Sequence, residues 1–296
     1  MKRRSMLLAV VMAALLLPLA AWAQVLDPVV STDWLEKNLG NAKLVMVDVR
    51  KVEDYKAGHI PGAVNVFYGT WAIKKGDLLN ELPPADDLAD AIGGAGIAAD
   101  SWVVLIGNTA PPPARFDMTR VAWTLKYMGV DQVAILDGGQ EKWVKEKKAL
   151  SQDMVRPKAR PFKGKMNKGL FVSKAYVADR LGKAVIVDVR APAAFEGKEK
   201  LPFVPKTGRI KGAVNLPVSA LYTPEGLYKS KDALAALASK AAGTDPGREI
   251  ILYCDTGKTC TSWAFVMSSW LGYRDVKIYD GSFMEWAKDS AAPMEP

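Results

Sequence analysis

The sequence predicts an α/β fold written twice, two similar domains in tandem, each a mainly parallel sheet flanked by helices. Three observations predict it. Short motifs recur in the same order about 140 to 150 positions apart, and short β-branched runs alternate with longer segments of helical period. The strand candidates are also continuously apolar, as strands covered on both faces are. At 296 residues the chain is too long for one ordinary domain and comfortable for two.

The repeat carries the argument. VMVDVR (45–50) returns as VIVDVR (185–190), GHIPGAVNV (58–66) as GRIKGAVNL (208–216), and ILDGGQEKW (135–143) as IYDGSFMEW (278–286). The order is kept while the offset drifts by a few residues, so the halves are duplicated domains with loop insertions; a period this long is a domain, not a solenoid unit.

Taken from the start, residues 1–23 read as a secretory signal: Lys2, Arg3 and Arg4, then an apolar run from Met6 to Ala21, then the small-x-small pattern Ala21-Trp22-Ala23. The run contains Pro18 and is shorter than the roughly 18 apolar residues a membrane span needs. Cleavage before Gln24 is expected, giving a periplasmic or secreted protein with no membrane attachment. Three cations and no acid leave with the leader, taking the formal net charge from +8 to +5.

The first domain, 24–150, holds strand candidates at 44–47, 103–106 and 133–136 and helices at 118–128 and 140–147. Residues 151–168, with Arg156, Pro157, Lys158, Arg160, Pro161, Lys163 and Lys165 and no periodic apolar face, read as an exposed linker. The second domain, 169–296, holds strands at 185–187, 250–253 and 276–279 and helices at 173–181, capped by Ser173, at 232–241 and at 260–271.

Composition excludes several classes. Two cysteines cannot build a disulfide framework or a Cys-rich zinc site, and one histidine excludes a His-rich metal centre, so no metal is expected. No basic stripe interleaved with aromatics argues for nucleic acid. The modest positive charge suits a small anionic substrate or simple solubility.

In open parallel sheets, chemistry collects beyond the carboxyl ends of the strands. There, between the strand ending at Tyr253 and the helix opening at Cys260, lies Cys254-Asp255-Thr256-Gly257-Lys258-Thr259. A tight loop entering a helix turns successive amide N–H groups toward one point, which stabilises a thiolate. Gly257 supplies the backbone freedom and Lys258 a cation near the sulfur, so the Cys254 thiol is expected below the usual value of about 8.5. A carboxylate facing inward would oppose this, so Asp255 is expected to face outside. The bland alternative is a buried, inert thiol.

At these residues the chain resembles the rhodanese family, specifically its two-domain sulfurtransferases: the VDVR strand end, GHIPGAVN, the Cys-x-x-Gly-x-Thr loop and the DGS-x-x-EW turn occur in that family's order from Val30 to Lys288. The resemblance implies tandem rhodanese-like domains, of which only the second is catalytic. The first ends its equivalent strand at Gly107, where the second has Cys254, and continues through a stiff loop with Pro111, Pro112 and Pro113. It further implies that Cys254 attacks the outer sulfur of an anionic donor, carries it as a persulfide and passes it to a thiophilic acceptor without a cofactor. The loop amides, with the Thr256 and Thr259 hydroxyls, would hold the anionic persulfide and the leaving group.

The donor is less defined. Thiosulfate enzymes resemble Cys-Arg-Lys-Gly-Val-Thr here, whereas this chain has Asp255 and Thr256 at the two cationic positions. Mercaptopyruvate enzymes resemble Cys-Gly-Ser/Thr-Gly-Val-Thr, but their Asp and His of the first domain correspond to Gly69 and Asn80. The arginine that binds donors in both branches is Ala194 here; Lys198, Lys200, Lys206 or Arg209 could supply its charge, with Arg209 carried as a substrate-binding candidate. Thiosulfate, a simple dianion available outside the cytoplasm, is favoured, with 3-mercaptopyruvate the other candidate.

Cys260 reads as a small core residue or, alternatively, as a resolving thiol for Cys254; the pair would then make a periplasmic dithiol redox or metalloid-binding protein. His59 reads as a turn residue. Asp48 with Arg50, and Asp188 with Arg190, recur in both halves and read as structural hydrogen bonding. A phosphatase of the related Cys-x5-Arg type is disfavoured, because its closing arginine is Cys260 here.

Overall fold

The structure, a computed structural model, describes residues 25–296. The expected leader, 1–23, and its cleavage point lie outside the described residues. The first half runs β1 (Val29–Val30), α1 (Thr32–Asn38), β2 (Leu44–Asp48), α2 (Val52–Ala57), β3 (Val64–Asn65), a hairpin of β4 (Ile73–Lys75) and β5 (Leu78–Glu81), α3 (Ala85–Gly94), β6 (Trp102–Ile106), α4 (Arg115–Tyr127), β7 (Val133–Leu136) and α5 (Gly139–Lys145). The second runs β8 (Phe171–Val172), α6 (Lys174–Arg180), β9 (Val185–Asp188), α7 (Pro192–Phe195), β10 (Arg209–Ile210), β11 (Val214–Asn215), α8 (Lys231–Ala242), β12 (Ile250–Tyr253), α9 (Thr261–Phe265), β13 (Val276–Tyr279), α10 (Ser282–Trp286) and β14 (Met294–Glu295).

Each half is a five-stranded, wholly parallel sheet. The orders, β1-β7-β6-β2-β3 and β8-β13-β12-β9-β11, are the same order written twice. The apolar central strands are buried along their whole length, and helices cover both faces. The Asp–Arg pairs fasten equivalent corners. Asp188 accepts from Arg190 Nε at 3.0 Å and Nη2 at 2.6 Å, and Arg190 Nη2 also donates to the Gly208 carbonyl; Arg50 does the same with Asp48 and Gly58. Buried His59 stacks on Tyr55 at 3.7 Å and donates from Nδ1 to the Tyr55 carbonyl, which holds its turn.

The halves interlock. Trp123 of α4 is part of the second half's core, and Phe265 of α9 is part of the first half's. Two fully buried aromatic rings exchanged across the boundary resist separation, since each contributes a few kcal/mol of burial. The helix expected over 260–271 is α9 followed by a π-helical turn, Val266–Trp270, closed by Leu271 N to Val266 O at 3.0 Å. Residues 152–167 form no regular element but lie along the first half: Arg160 N donates to Gly93 O at 3.1 Å, and Val155 and Phe162 pack on its core. A Cβ on Gly93 would stand 2.2 Å from the Arg160 carbonyl oxygen, so this seat requires glycine.

Candidate functional site

The register Tyr253↔Asp188 brings the ends of β12 and β9 level, which sets Cys254 beside Val189, Arg190 and Ala191. These residues, with Ala194, Glu199, Lys200, Leu201, Asp255 and Thr259, line a cavity of about 310 Å³. Cys254 is only 1% exposed, yet it forms part of that wall.

The loop after it curls because Gly257 adopts φ +72°, and a Cβ there would lie 2.2 Å from the Asp280 carbonyl oxygen. Burial alone would push the Cys254 thiol up. Hydrogen bonds from the Cys260 thiol and from the amides of Cys260, Thr256 and Thr259 outweigh burial and bring the thiol down to about 6. Cys254 is therefore a thiolate at neutral pH, stabilised by amide donors. The Cys260 thiol is pushed up by burial and by donating to Cys254. Both cysteines are free, and Cys260 lies behind Cys254 in the core.

The other expected residues divide. Thr259 lines the cavity; Thr256 gives its amide to the sulfur, while its hydroxyl accepts from Asn80 Nδ2 at 2.8 Å. Lys258 turns away, paired with Asp117 and lying 4.5 Å from the centre of the Tyr68 ring. Asp255 faces inward, contrary to expectation, because Arg190 keeps Nη1 outside its bonds to Asp188 and places it 3.9 Å from the Asp255 carboxylate. Burial, followed by the Cys254 charge, raises Asp255 to about 7. Arg209 stands apart from the cavity, ion-paired with Glu295 at 3.1 Å and stacked over Phe195. Of the cations expected to serve, Lys200 lines the cavity, together with Arg190.

The first half contributes residues that sequence reasoning missed. Buried Arg120 donates to the Gly257 carbonyl at 2.9 Å and to Asp280 at 2.7 Å, while Leu82 N donates to the other Asp280 oxygen at 3.0 Å. Thr119 Oγ1 lies 2.9 Å from Ser262 Oγ and 3.1 Å from Thr261 Oγ1. The available signal was an arginine set in the apolar face of a predicted helix, between Met118 and Val121.

The first half's own loop is filled. A Cβ on Gly107 would stand 2.9 Å from Met118 Cγ and 3.1 Å from Val49 Cγ2. The amides of Thr109 and Ala110 donate to the Glu141 carboxylate, so they already hold an internal anion. Among the described residues, no group of three or more His, Cys, Asp or Glu side chains is placed to hold a metal ion, and no helix is long and apolar enough to cross a membrane.

Comparison with known proteins gives one answer for both halves. The family model described as a rhodanese-like domain matches residues 31–146 and 173–289. A protein of Mycolicibacterium smegmatis, provisionally named a thiosulfate sulfurtransferase, is 34% identical over 91% of this chain and 98% of its own. The sulfur carrier protein TtuD of Thermus thermophilus is 30% identical over 90% of this chain and 96% of its own. The anaerobic ergothioneine biosynthesis enzyme of Chlorobium limicola, solved with trimethyl histidine, has the same fold at a TM-score of 0.80, with 22% identity over 90% of this chain and 70% of that one.

Proposed function

The chain belongs to the rhodanese family, with two rhodanese-like domains, and from that premise we propose that it is a sulfurtransferase in which Cys254 carries sulfane sulfur as a persulfide. The relatives' names support sulfur transfer in general. The observation that carries the reading is a cysteine at a strand end on the wall of a cavity, with the Gly257 loop curled around it so that the amides of Thr256, Thr259 and Cys260 lower its thiol to about 6.

With thiosulfate, the favoured donor, Cys254 Sγ attacks the outer sulfur; that sulfur's bond to the sulfonate breaks, and sulfite leaves with the electron pair. The outer sulfur then takes a proton from solvent, giving Cys254–S–SH. A thiophilic acceptor attacks the outer sulfur, and Sγ leaves as the thiolate. The same amides oppose Sγ when it attacks and when it departs, so their stabilisation serves both half-reactions. 3-Mercaptopyruvate is the second donor to test. Export through residues 1–23 would place the reaction in the periplasm or outside the cell, and the amino terminus of the mature protein tests that.

The chemical test is intact mass after incubation with thiosulfate, with and without cyanide. One sulfur gained on Cys254 and removed by cyanide supports transfer, and Cys254→Ser retaining full turnover would overturn it. The dithiol reading has one observation in its favour, the Cys260 thiol donating to Cys254. It calls instead for a loss of two protons linking the cysteines, abolished by Cys260→Ser.

A further inference from the structure

Several carboxylates near the strand ends and the boundary between the halves are tied down. Asp188 is gripped by Arg190, Asp280 by Arg120 and Leu82 N, Asp117 by Lys258, and Glu141 by two loop amides. Asp255 differs. No hydrogen bond to its carboxylate is found among the described residues, and its nearest cation, Arg190 Nη1, is 3.9 Å away, beyond hydrogen-bond length. It shares a cavity wall with Cys254, the residue before it.

The other charges facing it come from each element around the cavity: Arg190 with Asp188 behind it at the end of β9, and Glu199 and Lys200 after α7. Arg190 is offset by Asp188, and Glu199 offsets Lys200. Arg190 and Lys200 are the cations that would meet an anionic donor, and an untied acid beside the nucleophile does nothing to help that donor bind. Thiosulfate needs no acid to release sulfite, so the loading step gives this carboxylate no task. A thiol acceptor does, because it must lose a proton as it attacks.

We propose that the acceptor is a neutral thiol and that the Asp255 carboxylate is the base that takes its proton. This rests on the sulfur-transfer reading. The step balances. The acceptor sulfur bonds to the outer sulfur of Cys254–S–SH; the bond to Sγ breaks with its electron pair on Sγ; and the thiol proton moves to Asp255. The products are the Cys254 thiolate, an acceptor hydropersulfide and a protonated Asp255. Burial, the largest cause of the raise, persists when the Cys254 charge is taken up in the persulfide, so the carboxyl stays above the ordinary carboxylate range and nearer a thiol at about 8.5.

The test separates the two half-reactions. Protein is loaded with thiosulfate, loading is verified by intact mass, and the persulfide is discharged at pH 8 by 2-mercaptoethanol or by sulfite, which has no proton to lose. In Asp255→Asn, the ratio of thiol discharge to sulfite discharge should fall at least tenfold, because proton transfer by a positioned group is worth about a hundredfold or more. In the unsubstituted protein, thiol discharge should bend between the ordinary carboxylate range and the thiol's own titration, and the bend should vanish in Asp255→Asn. If Asp255 only repels anions, its removal speeds both discharges and leaves the ratio unchanged, which overturns the proposal. Absence of loading by both thiosulfate and 3-mercaptopyruvate in the unsubstituted protein overturns the sulfur-transfer reading itself. Loading followed by an unchanged ratio and an unbent profile overturns only the role of Asp255.

Discussion

Arg120 of the first half donates to the Gly257 carbonyl of the second at 2.9 Å, across the boundary between the duplicated domains. Its other bond, to Asp280 at 2.7 Å, ties together the two segments that frame Cys254. A half that lacks a thiol thus holds the curl on which the other half's thiolate depends.

Removing Arg120 should expose that dependence. It is 0% exposed and paired with a nearly buried Asp280, and breaking a buried pair from one side costs about 3–5 kcal/mol because the remaining charge is left uncompensated. Arg120→Met is expected to lose about that much in urea unfolding. Arg120→Lys, which keeps the charge but cannot reach both acceptors, is expected to stay folded and load sulfur more slowly. Native stability in Arg120→Met would show that the bond braces nothing.

Cys260 should tune the nucleophile. Its thiol donates to Cys254, so Cys260→Ala removes one donor from a thiolate otherwise held against burial. Alkylation by iodoacetamide across pH should follow a midpoint near 6 in the unsubstituted protein and a higher one in Cys260→Ala, with Cys260→Ser between them. The folded thiol lies below the unfolded value of about 8.5, so the native state binds fewer protons across that window. The contribution of Cys254 to stability is therefore full above about 8.5 and is lost as pH falls through about 6. Thermal melts of Cys254→Ser against pH should lack that component.

Glu81 should act with the opposite sign. Burial, followed by the Asp280 charge, raises it to about 7, and its Oε1 is buried without a hydrogen-bond partner at the boundary between the halves. An acid raised above its unfolded value of about 4.3 contributes fully below that pH, and the contribution is lost as pH rises through about 7. Glu81→Gln should therefore raise the melting temperature at pH 8 and change it little at pH 4. Equal shifts at both would mean that Glu81 is not ionising against its surroundings.

Sequence and structure agree where the chain speaks locally. The central strands were legible because runs such as Ile250–Tyr253 are apolar from end to end, and Cys254 was legible as the residue beyond one of them. Two-residue edge strands such as Val29–Val30 and Val214–Asn215 carry no period to detect. Loop side chains were read least well, since their directions are set from outside the loop. Lys258 follows Asp117 and Tyr68, and Asp255 follows the free edge of Arg190. Arg120 lay hidden because its partners, Gly257 and Asp280, belong to the other copy of the repeat.

The first half, which has no cysteine, offers the sharpest contrast, because its strand β6 ends as β12 does. Restoring the missing atom with Gly107→Cys, in a Cys254→Ser background, should not restore loading by thiosulfate. The new Cβ would press on Met118 and Val49, and the Thr109 and Ala110 amides that could hold a thiolate are already occupied by Glu141. Without those donors, a thiol buried at that position should titrate above its ordinary value and remain unreactive at neutral pH. Intact mass after thiosulfate should show no added sulfur. Sulfur gained there would mean that a cysteine at a strand end suffices, and that the amide cradle around Cys254 is not what makes it reactive.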